Sequence, residues 1–221
     1  MTGPAQRLAL IGGGGFSKEI AEIARALGHT VEATYSTAPE VQVGRYRGYL
    51  DALLADRAEY DGVVLAVGGV SRRAIRARAE LIAWLDQHGL PCPALVSPRA
   101  IVSPDVAVGA GAFVAHGVIV NADARLGRFC VLNSAAIVGH DTIVGDNTTI
   151  SPGAFIGGRC TIGSGSLVGP LAKVLQGLTL GQGVTVGMGC NVLRALPDGA
   201  TVWPRPDIVA PGIVASASKR G

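Results

Sequence analysis

Residues 126–156 read LGRFCVLNSAAIVGHDTIVGDNTTISPGAFI, and an aliphatic side chain returns at every sixth place: Leu126, Leu132, Val138, Val144, Ile150, Ile156. Followed outward, the row begins at Val102, Val108, Val114 and Val120 and continues through Ile162, Val168, Val174, Leu180 and Val186 to Val192, sixteen positions without a miss. The place two before each aliphatic is mostly small: Ala100, Ala112, Ala124, Cys130, Ala136, Thr142, Thr148, Ala154, Cys160, Ser166, Ala172 and Cys190. The place after it is mostly Gly, Asn or Ser. A period of six is neither helical nor the alternation of a flat strand, and it is the signature of a parallel β-helix. Each hexapeptide then supplies a short strand and a corner. The aliphatic and the small residue point inward, and the residue after them tolerates the positive φ of a tight corner. Three sides make a coil of about 18 residues, so sixteen rows make a little over five coils, roughly 25 Å long at ~4.8 Å per strand. No insertion breaks the rows. A site must therefore be built from corners, faces and neighbouring chains.

Upstream, Arg7–Ile11 is a short apolar run that stops at Gly12-Gly13-Gly14-Gly15, and Phe16–Leu27 carries Ile20, Ile23, Ala24 and Leu27 at helical spacing before Gly28, a C-cap. A strand over Thr30–Tyr35, a helix over Leu50–Arg57, a strand over Gly62–Val67, a helix over Ser71–His88 and a last strand over Ala94–Val96 follow. Alternating strands and helices predict a small parallel, Rossmann-like sheet in an α/β domain over 1–97. The glycine turn and the helix N-terminus it opens can receive a phosphate. Gly12 and Gly14 match the first two glycines of a dinucleotide fingerprint, but Ser17 stands at the third, and Tyr35-Ser36 offers no carboxylate for an adenosine ribose. That argues against NAD and leaves a phosphate-bearing ligand of another kind or a bare turn. Downstream, 98–206 forms the β-helix with a cap over Ala200–Pro206, and 207–221 is a tail, disordered from Ser216.

Of 221 residues, 48% are hydrophobic, enough for a good core in one or two domains. The net charge of +3 comes without blocks of one sign and gives no case for nucleic acid. No apolar run reaches the ~20 residues of a membrane helix, no signal-peptide pattern opens the chain, and a cytoplasmic location is expected. Cys130, Cys160 and Cys190 share the inward row, but their spacing of 30 puts them on three different sides, so they read as small hydrophobes; Cys92 sits between Pro91 and Pro93.

The prism segment holds two histidines, His116 and His140, both at outward corners and on different ones. One chain cannot bring three histidines to a zinc ion from its prism, so no metal is expected. Asp141 follows His140 as a carboxylate able to orient the ring and act as its charge partner, while Ala122 and Gly158 flank it one coil away on either side. A neutral imidazole there suits a general base for an amine or hydroxyl nucleophile; a solvated corner histidine is the plainer alternative.

A glycine-turn α/β domain followed by an uninterrupted hexapeptide helix, with Asn133 seven residues before the pair His140-Asp141 and the Ser151-Pro152-Gly153-Ala154 coil after it, resembles the bacterial sugar O/N-acyltransferase family. That family includes the sialic acid O-acetyltransferases and the N-acetyltransferases of bacillosamine- and perosamine-type nucleotide sugars. The resemblance implies a left-handed β-helix, a homotrimer, and acetyl-CoA as acyl donor lying between neighbouring prisms. It implies His140 as base, Asp141 as its partner and Asn133 as a site residue. Gly14, Gly15 and Phe16 would contact the nucleotide sugar, and Gly158 and Thr149 would lie in the cofactor site. The chain departs from the family pattern at Phe16 and Thr149, where histidines are common, at Tyr35-Ser36, where acids are, and at Gly68-Gly69-Val70, where Gly-Asp-Asn is usual.

The reaction implied is transfer of acetyl to the amine of a 4-amino-4,6-dideoxy sugar on a nucleotide. Three cysteines point inward and no Ser-His-acid set stands out, so direct attack is expected instead of an acyl-enzyme. O-acetylation of a free sugar or sialic acid is the alternative within enzymes, and a nucleotide-sensing scaffold without catalysis the alternative outside them. The aromatics Phe113, Phe129 and Phe155 are expected on outward faces, where a trimer interface, the first domain or solvent could meet them.

Overall fold

The structure is a computed structural model that describes residues 4–204. The N-terminal part is a four-stranded parallel sheet of β1 (Arg7–Ile11), β2 (Thr30–Tyr35), β3 (Arg45–Tyr46) and β4 (Gly62–Leu65), in the order β3-β2-β1-β4. Alternate residues of β1 are buried on opposite faces. Leu8 and Leu10 join Ile20, Ile23 and Ala24 of α1 (Phe16–Ala26), whereas Ala9 and Ile11 join Tyr35, Leu53 of α2 (Leu50–Asp56) and Leu85 of α3 (Arg72–Gln87). With apolar layers on both faces, β1 reads as an unbroken apolar run. Ser71 caps α3, its Oγ accepting from the Ala74 N–H at 3.1 Å. The edge strand β3 was not expected, because its two residues lie inside a polar stretch.

Eighteen two-residue strands form the prism, beginning with β5 (Leu95–Val96) and β6 (Ile101–Val102) and ending with β21 (Asn191–Val192) and β22 (Thr201–Val202). They stack into faces of seven, six and five parallel strands; strands pair at a spacing of 18 residues, as Val131 pairs with both Phe113 and Thr149, except at the last, where Thr185 pairs with Thr201. The expected sixteen rows are all present. One expectation fails: β5 does not close the small sheet but pairs with Phe113–Val114 and starts the seven-strand face. Val96 lies six residues before Val102, in register with the prism. Cys130, Cys160 and Cys190 precede strands on three different faces, as their spacing predicts. Seven corners carry a non-glycine residue at positive φ, namely Asp123, Phe129, Ala135, Asp141, Asn147, Arg159 and Leu171. At the C-terminal end β22 pairs with Thr185–Val186, and the Trp203 ring lies against Gly187. The rest of the expected cap and the tail, 205–221, lie outside the described residues.

The small domain sits on the seven-strand face. On that face the outward row is buried over six strands, at Leu95, Phe113, Val131, Thr149, Leu167 and Thr185, and emerges only at Thr201 of β22. Phe16 meets Phe113 edge-on, with centroids 5.0 Å apart. Arg78 of α3 is 1% exposed. Its Nε donates to Asn147 Oδ1 at 2.9 Å, its terminal nitrogens donate to the carbonyls of Val67 and Phe129, and Asn147 Nδ2 donates to the Ile75 carbonyl at 2.9 Å. Burial lowers the guanidinium pKa to about 10, so it stays charged at neutral pH. Phe113 and Phe129, expected outward, are therefore sealed under the small domain, and Phe129 is a corner residue; only Phe155 is exposed.

Candidate active site

His140 and Asp141 stand on the corner between the six- and five-strand faces, with both side chains half exposed (52% and 54%). Backbone bonds fix the corner: the Asp141 N–H donates to the Ala122 carbonyl at 3.0 Å, and the Arg159 N–H donates to the His140 carbonyl at 2.7 Å. The His140 ring lies over Gly158, where a β-carbon would stand 2.6 Å from Nε2, so the missing side chain is what makes room for the ring. Nδ1 is 2.7 Å from Asp141 Oδ2. An ionised carboxylate only accepts, which places the proton of the neutral ring on Nδ1 and leaves the Nε2 lone pair free. Nε2 has no hydrogen-bond partner among the described residues. A bare, oriented lone pair at a solvent-facing corner is the arrangement a general base needs.

A second feature lies where the small domain meets the prism. A cleft of about 240 Å³ is lined by Phe16, Glu19, Gly68, Gly69, Val70, Val131, Asn133 and Pro152. Phe16 opens α1. Of the glycine turn, Gly13 is covered by Val41 and accepts from the Gln42 N–H, whereas Gly14 and Gly15 are exposed with open space beside them. Behind the cleft, Thr149 is 2% exposed and its Oγ1 has no hydrogen-bond partner; a β-carbon on Gly69 would stand 2.2 Å from that oxygen.

The structure thus brings together His140, Asp141 and Gly158 at one corner, and Phe16 and Asn133 in the cleft with Thr149 behind its wall. It does not bring the groups to each other. Asn133 follows Leu132 at one edge of the six-strand face and His140 follows Val138 and Gly139 at the other. Gly158 and Thr149 are likewise on different sides of the prism.

A Ser-His-acid set, which the sequence did not reveal, is present: Ser97 Oγ lies 2.5 Å from His116 Nδ1, and His116 Nε2 lies 3.2 Å from Glu22 Oε1. Ser97 is 2% exposed and also accepts from the Arg99 N–H, so the set ties α1 to the prism and offers no nucleophile to a substrate. Among the described residues no three His, Cys, Asp or Glu side chains gather as metal ligands, and no helix is long and apolar enough to cross a membrane.

The domain described as the PglD N-terminal domain matches residues 7–79. No curated protein matches the chain by sequence. Among solved structures, a histidine-to-asparagine variant of perosamine N-acetyltransferase from Caulobacter crescentus, in complex with CoA and GDP-perosamine, is 31% identical over 92% of this chain and 97% of that one, with a TM-score of 0.84. The chain belongs to the bacterial sugar O/N-acyltransferase family. Another structure, the acetyltransferase domain of PglB from Neisseria gonorrhoeae in complex with acetyl coenzyme A, is 33% identical over 90% of this chain and 96% of that one (TM-score 0.81). WeeI from Acinetobacter baumannii, at 23% identity and TM-score 0.77, shares the fold. The prism is the left-handed β-helix of this acyltransferase family.

Within the family frame, the departures take physical form. Phe16 sets an apolar wall, braced on Phe113, at the start of α1. Tyr35 turns into the core, its hydroxyl 2.7 Å from Asp56 Oδ2 and 3.1 Å from the Tyr60 hydroxyl, and burial pushes the phenol pKa well above its ordinary value. Gly69 lets the chain press onto Thr149.

Proposed function

We propose that this acyltransferase transfers acetyl from acetyl-CoA to the amine of a nucleotide-linked 4-amino-4,6-dideoxy sugar. The observation that carries the reading is the His140–Asp141 pair, with Nε2 bare above Gly158. His140 Nε2 takes the proton as the amine nitrogen attacks the thioester carbonyl; the C–N bond forms, the C–S bond breaks, and the imidazolium returns the proton to the departing CoA sulfur. Asp141 holds the ring and balances its charge in between. Direct attack fits the thiols: Cys130, Cys160 and Cys190 are buried, and burial pushes the Cys92 thiol up to about 11.

The free N–H groups at Gly14, Gly15 and Phe16 suit the diphosphate of the sugar nucleotide, at the N-terminus of α1. Asn133 orients the acceptor in the cleft. Gly158 gives the cofactor close approach to His140, whereas Thr149, buried behind Gly69, does not present its hydroxyl to it. Because His140 and the cleft occupy opposite edges of the six-strand face, one chain's base serves another chain's acceptor. That arrangement, together with the apolar outward row Ile101, Ile119, Ile137 and Phe155 on the same face, supports a homotrimer with the reaction at its interfaces.

The test is release of free CoA thiol from acetyl-CoA with UDP-, GDP- and dTDP-linked 4-amino sugars, alongside free sialic acid. Turnover on a nucleotide amino sugar is expected, and His140→Ala should lower kcat by about 10²–10⁴ while CoA still binds. Turnover on the free sugar alone would favour O-acetylation. A fully active His140→Ala variant would remove the base from the mechanism.

A further inference from the structure

The cleft has one ionisable lining residue, Glu19, among apolar walls from Phe16, Val70, Val131 and Pro152. Its carboxylate makes no salt bridge and no side-chain hydrogen bond among the described residues. An acid in the first turn of a helix is commonly explained by the helix dipole alone. Here it also faces a cavity. Phe16 and Glu19, three apart on α1, lie on one helix face with about 4.5 Å of rise between them. A diphosphate on the N–H groups of Gly14–Phe16 would therefore sit beside a carboxylate, a repulsive arrangement unless the ligand brings a positive group between the two.

We propose that Glu19 is the residue that selects a cationic acceptor, receiving the ammonium form of the sugar amine while the diphosphate rests at the start of α1. The inference rests on the reading of the cleft as the nucleotide-sugar site and adds to it the charge of the sugar. Its role is recognition: the ammonium loses one proton to solvent before attack and the second to His140 during it, so the carboxylate ends unchanged. The same charge disfavours an acceptor sugar that carries its own carboxylate, and it does not favour a neutral 4-hydroxy sugar.

The experiment is calorimetric binding of UDP-, GDP- and dTDP-linked 4-amino sugars and their 4-hydroxy counterparts to the full chain and to Glu19→Gln, which keeps the shape and removes the charge. For the nucleotide bound best, the unaltered chain should prefer the amino sugar by about tenfold. Glu19→Gln should bring the two within about twofold by weakening the amino sugar alone, with CoA affinity unchanged. Equal preference in both proteins, with binding intact, would overturn the role of Glu19. No binding of any panel member to the unaltered chain would overturn the reading of the cleft itself, and the inference with it.

Discussion

Replacing Gly158 by Ala tests the site at its tightest point. A β-carbon there would stand 2.6 Å from His140 Nε2, 2.8 Å from Cδ2 and 2.9 Å from Cε1. Ordinary contact begins near 3.4 Å, so the ring must retreat by roughly 1 Å, a displacement of the size that costs about 10²-fold in rate when it falls on a catalytic group. The ring is half exposed and the end of a mobile side chain, so it can swing aside without unfolding the coil. The expectation is a kcat about 100-fold lower, near 2.7 kcal/mol in the barrier, with thermal stability nearly unchanged. Stopped assays of CoA release at saturating substrates give kcat, and calorimetry gives the CoA affinity. A kcat within threefold of the unaltered chain would refute the argument. A loss wholly accounted for by weaker CoA binding would assign Gly158 to the cofactor instead of the ring.

Arg78→Met should destabilise the chain by about 3–5 kcal/mol in urea unfolding, because it strips the partners from Asn147 Oδ1 and from the carbonyls of Val67 and Phe129 inside the domain junction. A loss under about 1 kcal/mol would show that water takes over those bonds. The four cysteines should react slowly with Ellman's reagent in the folded chain and rapidly once it is unfolded, since burial pushes the Cys92 thiol up to about 11 and the Cys130 thiol up to about 12. These raised values give stability that is fully present below about pH 9 and lost as pH rises through about 11 to 12, because the unfolded chain releases the protons first. A fast thiol in the folded chain, or a urea midpoint that climbs above pH 9, would contradict this.

The prism was legible because burial there repeats: each inward position meets the same neighbours one coil on, so Val102 to Val192 carry one instruction sixteen times. The stacking of Gly158 on His140 was legible for a related reason, as the 18-residue coil puts one beneath the other whatever the rest of the chain does. The docking of the small domain was not, because it depends on an outward row with no shared chemistry: Phe113, Val131, Thr149, Leu167 and Thr185 have burial alone in common. Arg78 sits among Arg72, Arg73 and Arg76 and looks like one more solvated arginine; only the approach of Asn147 sets it apart. Glu19 resembled an ordinary first-turn acid, and the Ser97–His116–Glu22 tie joins residues up to 94 apart, a distance no local pattern reports.

The corners also form a map of strain. A left-handed backbone at a residue with a side chain costs about 1–2 kcal/mol, and glycine removes most of that cost. Eight of the positive-φ positions between 111 and 199 are glycine, yet seven are not, among them Asp141, Arg159, Phe129 and Asn147. The first orients the His140 ring and the second donates its N–H to the His140 carbonyl from one coil on; the last two accept hydrogen bonds from Arg78. Four of the seven strained corners thus lie at His140 or at the Arg78 junction, while Asp123, Ala135 and Leu171 carry the same strain elsewhere. Substituting glycine at Asp141 would relax the backbone while removing the carboxylate that orients His140, whereas at Asn147 the relief would be outweighed by the loss of a partner of buried Arg78.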